Sequence, residues 1–231
     1  MMEDLSSLAS STWFAAIEQH LQDALLDKVR VKHLKPGQQL HAKGEDGVGF
    51  YGVIEGRLRV VTPGYDGKEM LFALLGPGTW FGEISLFDNL PRTHDNYSEG
   101  KSKVGIIPKA SFTALLAKHP ELYRHFTTLL CSRVRSAFQF IDSTAGLSLT
   151  HQLVRRLLML ATSYGQHLPQ DASITLTLSQ ESLAQMINSS RQTVNQILRA
   201  LQHDGLVTLH YGKITVPDPS ALFSLLASNE R

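Results

Sequence analysis

The stretch that decides the fold is Phe81-Gly82-Glu83-Ile84-Ser85-Leu86, followed by Pro91-Arg92-Thr93. Gly82 and Glu83 stand ten and nine residues before Arg92, and strand-like runs flank the segment. Glycine has no Cβ, so its backbone can approach a ligand closely. Backbone N–H groups in such a turn can hold a phosphate. A carboxylate can accept from sugar hydroxyls, and an arginine can pair with a phosphate in bidentate fashion. A phosphate, a ribose and a base make up a cyclic nucleotide, and these residue types suit it. The plainer alternative is a turn in which Arg92 is only solvated at the surface.

Outward from this stretch, residues 31–108 show short alternating runs: Phe50 to Ile54, Leu58 to Val61, Met70 to Leu75 and Val104 to Ile107. Turn formers separate them, at Pro36-Gly37, Lys43-Gly44, Asp46-Gly47, Pro63-Gly64, Asp66-Gly67 and Gly76-Pro77-Gly78. Short strands with frequent turns predict an antiparallel sandwich or barrel. Tyr51 to Val60 reads as a hairpin turning at Glu55-Gly56. Before the strands, Trp13, Phe14, Ile17, Leu21, Leu25 and Val29 recur at helical spacing and predict a helix over 11–30.

After the strands, Ser111 to Lys118 reads as a short helix, and Pro120 suits the first turn of another. Residues 120–143 contain no Gly or Pro. Tyr123, Phe126, Leu130, Ala137 and Ile141 fall near a coiled-coil seam, with Leu122, Leu129, Val134 and Phe138 off it. So many apolar positions imply two partners, the barrel and a second subunit. A core helix of a monomer is the alternative. Gly146 should end this helix, and Leu147-Ser148-Leu149 should form a hinge before a helix from Thr150 carrying Leu153, Leu157, Leu158 and Leu160.

Farther on, Ser179 is a good helix cap before Gln180 and Glu181. Leu183, Ala184 and Ile187 give a short buried stripe, and Asn188-Ser189-Ser190 breaks the helix with a residue tolerant of the left-handed conformation. Ser189 with Gln192 reads as a capping box for a second helix, whose buried stripe is Val194, Ile197, Leu198 and Leu201. Its other face carries Arg191, Gln192, Asn195, Gln196 and Arg199. Arginine suits guanine edges, and glutamine and asparagine suit adenine. Asp204-Gly205 stops the helix. Leu206 to His210, a turn at Tyr211-Gly212, and Ile214 to Val216 predict a hairpin wing. Taken alone, the polar face could be merely solvated, but helix, turn, helix and hairpin together point to nucleic acid.

The chain has 231 residues, 42% hydrophobic, enough for one large or two ordinary cores. A net charge of +1 does not exclude nucleic acid, because basic groups can gather on one face. One cysteine, Cys131, rules out an internal disulfide and a four-thiolate metal or iron–sulfur centre. The ten histidines show no helix-spaced ligand pair, so no metal site is expected. The start lacks a basic, apolar signal and no run of eighteen apolar residues occurs, so a cytoplasmic protein without a membrane partner is expected. Glu83 and His94 could form an acid–base pair, but no nucleophile–base–orienter set is legible, so no enzyme is expected.

The Phe81–Thr93 stretch resembles the phosphate-binding cassette of cyclic-nucleotide-binding domains. Ser190-Arg191-Gln192-Thr193-Val194-Asn195-Gln196-Ile197-Leu198 closely resembles the recognition helix of the CRP/FNR family of bacterial transcription regulators, and the order of elements agrees over residues 10–225. The resemblance implies an α+β chain: an N-terminal antiparallel, jelly-roll-like β-barrel sensor (1–119), a dimerisation helix and hinge (120–146), and a winged helix-turn-helix (147–231). It implies effector contacts at Gly82, Glu83, Ile84, Ser85, Arg92 and Thr93, with Arg92 on phosphate and Glu83 on ribose. It implies base contacts at Arg191, Gln192, Asn195 and Gln196, and phosphate contacts at Thr150, Ser190 and Thr193. The implied partners are a palindromic double-stranded operator, a second copy of the chain and RNA polymerase. No fixed cofactor is expected. The effector candidates are cyclic AMP and cyclic di-GMP, and the alternative is a constitutive regulator with an effector-free barrel. Two features depart from the cyclic-AMP-sensing pattern. His94-Asp95 follow Thr93, and Asp95 would either oppose a phosphate or pair with Arg92. Ala137 and Phe138 stand where such members carry adenine-contacting hydroxyls, with Ser136 the nearest hydroxyl.

Overall fold

Six consecutive residues, Gly49 to Ile54, are buried in one strand. Successive strand side chains point to opposite faces, so this strand is covered on both. The computed structural model describes residues 4–63, 69–144, 148–161 and 173–227. The chain divides into two compact units, Met1–Val134 and Arg135–Arg231.

The first unit opens with a 3₁₀ turn, Ser6–Ser10, then α1 (Thr12–Ala15) and α2 (Gln19–Leu26). Next come β1 (Arg30–Leu34), β2 (Gln39–His41), β3 (Gly49–Glu55), β4 (Leu58–Pro63), β5 (Glu69–Leu75) and β6 (Trp80–Phe81). The single-turn α3 (Ile84–Phe87), β7 (Asp95–Ser98), β8 (Ser102–Pro108), α4 (Lys109–Lys118) and the long α5 (Leu122–Thr144) follow. The strands form two antiparallel four-stranded sheets, ordered β1-β8-β3-β6 and β2-β7-β4-β5, in the double-sheet manner of a jelly roll.

The sheet order corrects the expected hairpin at Glu55-Gly56. β3 pairs with β8 and β6, whereas β4 pairs with β5 and β7. The turn is a corner by which the chain leaves one sheet for the other, as double-sheet folds require. Gly56 has a φ of 81°, and a Cβ there would strike the Lys101 carbonyl and Ser102. A short glycine turn between two alternating runs reads the same whether the runs pair or part. β4 and β5 are the true neighbours, from Leu58↔Leu75 to Pro63↔Glu69. The turn expected at Gly64 to Gly67 lies outside the described residues.

The helix expected over 11–30 is broken at 16–18, and Val29 lies beyond its end. The break lets both Trp13 and Phe14 enter the core, where Trp13 Nε1 donates to the His125 carbonyl at 2.8 Å. Phe14 and Phe50 each stack on Trp80 with centroids 5.1 Å apart. Phe126 joins this aromatic cluster, 5.2 Å from Phe50 and 5.0 Å from Phe112, and is 0% exposed. Phe126 therefore belongs to the sensor core, with Leu122 and Leu129, and not to an outward seam. Among the described residues, Tyr123, Val134 and Phe138 are the large apolar side chains that α5 exposes. The seam was misassigned because 126 and 130 share a face at helical spacing just as 123, 130 and 134 do. The side chain of Ile141 and the helix end at Gly146 with Leu147 lie outside the described residues.

The second unit contains α6 (Leu149–Ala161), β9 (Ile174–Thr177), α7 (Gln180–Met186), α8 (Arg191–His203), β10 (Thr208–His210), β11 (Lys213–Val216) and α9 (Pro219–Ala227). β10 and β11 are the wing, turning at Tyr211-Gly212, where Gly212 has a φ of 68°. β9 adds a third strand to β11, a pairing the short Ile174–Thr177 run did not announce. Ser179 caps α7 as expected, accepting from Ser182 N at 3.0 Å. Asn188 takes the left-handed conformation, with a φ of 48°. The cap of α8 is Ser190, accepting from Thr193 N at 3.0 Å, and not Ser189. The left-handed turn at Asn188 is followed by one more extended residue than a cap at Ser189 allows.

Because Phe126 fills the centre of the aromatic cluster, Phe126→Ala should cost about 3–5 kcal/mol of sensor-unit stability. Urea unfolding followed by tryptophan fluorescence measures this, with Val48→Ala, at an exposed position away from α5, within about 0.5 kcal/mol of wild type.

Candidate effector pocket and nucleic-acid interface

The cassette begins where β6 ends. Gly82 has a φ of 93°, and a Cβ there would lie 2.8 Å from both Arg92 Nη1 and a Tyr51 ring carbon. Only glycine fits. Glu83, 1% exposed, turns the chain into α3, which carries Ile84 half-buried and Ser85 buried. The loop at 44–45 clamps the backbone of Arg92: Gly44 N donates to its carbonyl at 2.9 Å and its N–H donates to Glu45 O at 2.7 Å.

The Arg92 guanidinium points inward and is 5% exposed. Nη1 donates to Gly82 O at 2.9 Å, Nη2 to Gly49 O at 2.8 Å, and the carbon lies 5.1 Å from the Tyr51 ring centroid. Its Nε is buried without a partner. No carboxylate among the described residues forms an ion pair with it. Asp95 does not: its Oδ1 accepts from Lys43 N at 2.9 Å and Gln39 Nε2 at 3.2 Å, which ties it to the neighbouring strand and loop. Thr93 is exposed, and its hydroxyl lies 2.8 Å from His94 Nδ1. Ala137 and Phe138 are exposed.

Glu83 has a partner that sequence reasoning missed. Arg133 of α5 places Nε 3.2 Å from Glu83 Oε1 and donates through Nη2 to Trp80 O at 2.7 Å. Both side chains are buried. Glu83 Oε2 is left buried without a partner, as are His41 Nδ1 and Asn96 Oδ1. His41 faces the Tyr51 and Phe81 rings at 5.8 and 6.4 Å and pairs across strands with Asn96. Burial, and then the charge of Arg92, hold the His41 imidazole far below its usual value, at about 4. His94 is also pushed down by burial and stacks on Phe72 at 4.5 Å. Orphaned buried polar atoms are rare in a folded chain, and each calls for an explanation.

On the second unit, Arg191, Gln192, Gln196 and Arg199 are exposed on one face of α8, opposite buried Val194, Leu198 and Leu201. Asn195 is half-buried at the edge of that face, its Oδ1 accepting from Gln180 Nε2 at 3.3 Å. The Ser190 and Thr193 hydroxyls lie 2.8 Å apart at the helix start. Thr150 sits half-buried in the first turn of α6. Residues 31–119 match the cyclic nucleotide-binding domain family, and residues 151–225 match the Crp-like helix-turn-helix domain family. The chain belongs to the CRP/FNR family of transcription regulators.

A CRP-like cAMP-activated global transcriptional regulator of Mycobacterium tuberculosis is 26% identical over 215 residues, 93% of this chain and 96% of the relative. The catabolite activator protein of Thermus thermophilus is 25% identical with a TM-score of 0.52, covering 94% of this chain and 98% of that one. The c-di-GMP responsive global regulator CLP of Xanthomonas campestris shares the fold, at 20% identity and a TM-score of 0.64 over 86% of this chain and 99% of its own. Among the described residues no helix is long and apolar enough to cross a membrane.

His41 supplies a prediction with a definite sign. Its folded value is about 4 against 6.5 ordinarily, so between those values the unfolded chain binds more protons. Stability should fall as pH drops from about 6.5 to about 4. Thermal melts at both ends of that window should show a smaller loss for His41→Leu than for wild type.

Proposed function

We propose that this chain is a homodimeric, sequence-specific DNA-binding transcription regulator, controlled by an anionic cyclic nucleotide seated on Arg92. The observation that carries the reading is a buried guanidinium with no carboxylate counter-ion among the described residues, held by the carbonyls of Gly82 and Gly49. A buried unpaired cation is costly, and a ligand phosphate that replaces one or both carbonyl contacts makes it a charge-assisted pair. Glu83 Oε2 is open to a ribose hydroxyl while Oε1 stays with Arg133. Backbone N–H groups of Ile84, Ser85 and Thr93 complete the cradle. Cyclic AMP and cyclic di-GMP are the candidates.

Control follows as a population shift: an effector that binds one state of the dimer better favours that state. The exposed apolar face of α5, with Tyr123, Val134 and Phe138, meets a second copy. Paired recognition helices then read the two halves of a palindrome, about 34 Å apart. Arg191, Gln192, Asn195 and Gln196 read bases, while Thr150, Ser190 and Thr193 meet phosphates. The regulator acts in the cytoplasm, with RNA polymerase as its further partner, and carries out no chemistry of its own.

Two measurements bear on the two sites separately. Arg92→Ala should weaken binding of whichever cyclic nucleotide the wild type binds by about tenfold to a hundredfold in calorimetry, the loss of one charge-assisted contact. Undiminished binding by the variant would place the effector elsewhere. Arg191→Ala should relax preference at one guanine per half-site, costing about 1–3 kcal/mol, in a selection from randomised DNA. Lys213→Ala should leave the consensus as it is.

A further inference from the structure

Asn195 does not present a free carboxamide. Gln180, the first residue of α7, donates from Nε2 to Asn195 Oδ1 at 3.3 Å, and both side chains are half-buried. The two helix starts that set this contact are themselves fixed: Ser179 caps α7 through Ser182 N, and Ser190 caps α8 through Thr193 N, each at 3.0 Å. Asn195 Nδ2 has no partner among the described residues. Its neighbours on the recognition face, Arg191, Gln192 and Gln196, are exposed.

An asparagine reads adenine by using both ends of the amide at once: the oxygen accepts from N6 and the nitrogen donates to N7. An amide oxygen has two lone pairs, so the bond from Gln180 leaves it a second. Holding that oxygen toward α7 still disfavours laying both ends along one base edge and favours the two N–H donors as the groove-facing groups. We propose that Gln180 is a positioning residue that fixes Asn195 as a donor, so that Asn195 reads an acceptor edge in the major groove and discriminates against cytosine. Guanine offers N7 and O6, thymine offers O4 and adenine offers N7, whereas cytosine offers only the N4 donor. The inference rests on the recognition-helix reading and narrows it: one of the three amides expected to choose adenine is committed to acceptor edges in general. Holding the side chain before binding also removes rotamer freedom that would otherwise be lost on the operator.

The test is selection of binding sites from randomised double-stranded DNA by the full-length chain and four variants, Arg191→Ala, Asn195→Ala, Gln180→Ala and Gln180→Glu, with melting curves to check folding. The position whose preference is lost in Asn195→Ala should disfavour cytosine in the wild type. A glutamate at 180 can only accept, so it should draw the Asn195 amino group and turn Oδ1 to the groove. Gln180→Glu should then shift that position by about tenfold toward adenine or cytosine, which carry donors. Gln180→Ala should release the amide and flatten the preference. Base choice is the readout that a merely structural glutamine would not move.

An unchanged preference at that position in Gln180→Glu and Gln180→Ala overturns the inference. So does a wild-type preference for cytosine there, which would mean that the amide pair runs the other way, with Asn195 donating. If Arg191→Ala alters the consensus and Asn195→Ala does not, the inference fails while the recognition face stands. If neither alters it, both fall together.

Discussion

A buried ion pair joins the cassette to the long helix: Arg133 Nε lies 3.2 Å from Glu83 Oε1, with both side chains away from water. Taking two charges out of water is costly, and mutual attraction offsets the cost only with good geometry and further hydrogen bonds. Arg133 has such support, because Nη2 also reaches the Trp80 carbonyl at 2.7 Å. Trp80 is itself held between Phe14 and Phe50. The aromatic core, the turn at Gly82 and α5 are therefore fixed with respect to one another. A ligand that engages Glu83 does so beside Arg133, and so beside α5, which runs on to Thr144 past the end of the sensor unit.

The other arginine of the pocket is arranged in the opposite way. Among the described residues Arg92 has no carboxylate, and it points both Nη groups at the carbonyls of Gly82, after β6, and Gly49, at the start of β3. Those contacts compensate a cation only in part, since a carbonyl carries no net charge. Together the two arginines give the cassette one cation neutralised by a carboxylate and one without a carboxylate among the described residues, and in the proposed function it is the second that selects an anion. The neutral His41 and the amide of Asn96 add a polar wall without adding charge. Neither was singled out for the pocket from the sequence.

What the sequence made legible was local. Gly82 and Asn188 were marked by the backbone conformations they permit, Ser179 by its place before a helix, and the polar face of α8 by spacing along one element. Contacts between distant segments were not legible. Arg133 lies fifty residues from Glu83 on a helix with several charged residues, and nothing in its spacing separates a buried charge from a solvated one. Phe126 looked like a seam residue because helical periodicity gives a face but not its partner. The corner at Gly56 looked like a hairpin because a turn residue reports bending and not which strands pair. The α8 cap moved by one residue because two adjacent serines offer the same chemistry, and the left-handed Asn188 decides between them.

The account stands on an anionic effector in the sensor unit altering operator binding by the second unit. Fluorescence anisotropy of a labelled operator, recovered by selection, measures this most directly when the full-length chain is titrated alone and with saturating cyclic AMP, cyclic GMP or cyclic di-GMP. The account predicts that one of these nucleotides shifts operator affinity by about tenfold, within the ordinary range of coupling between sites. The same affinity under all four conditions would contradict it, and would leave a constitutive regulator whose sensor unit is a scaffold.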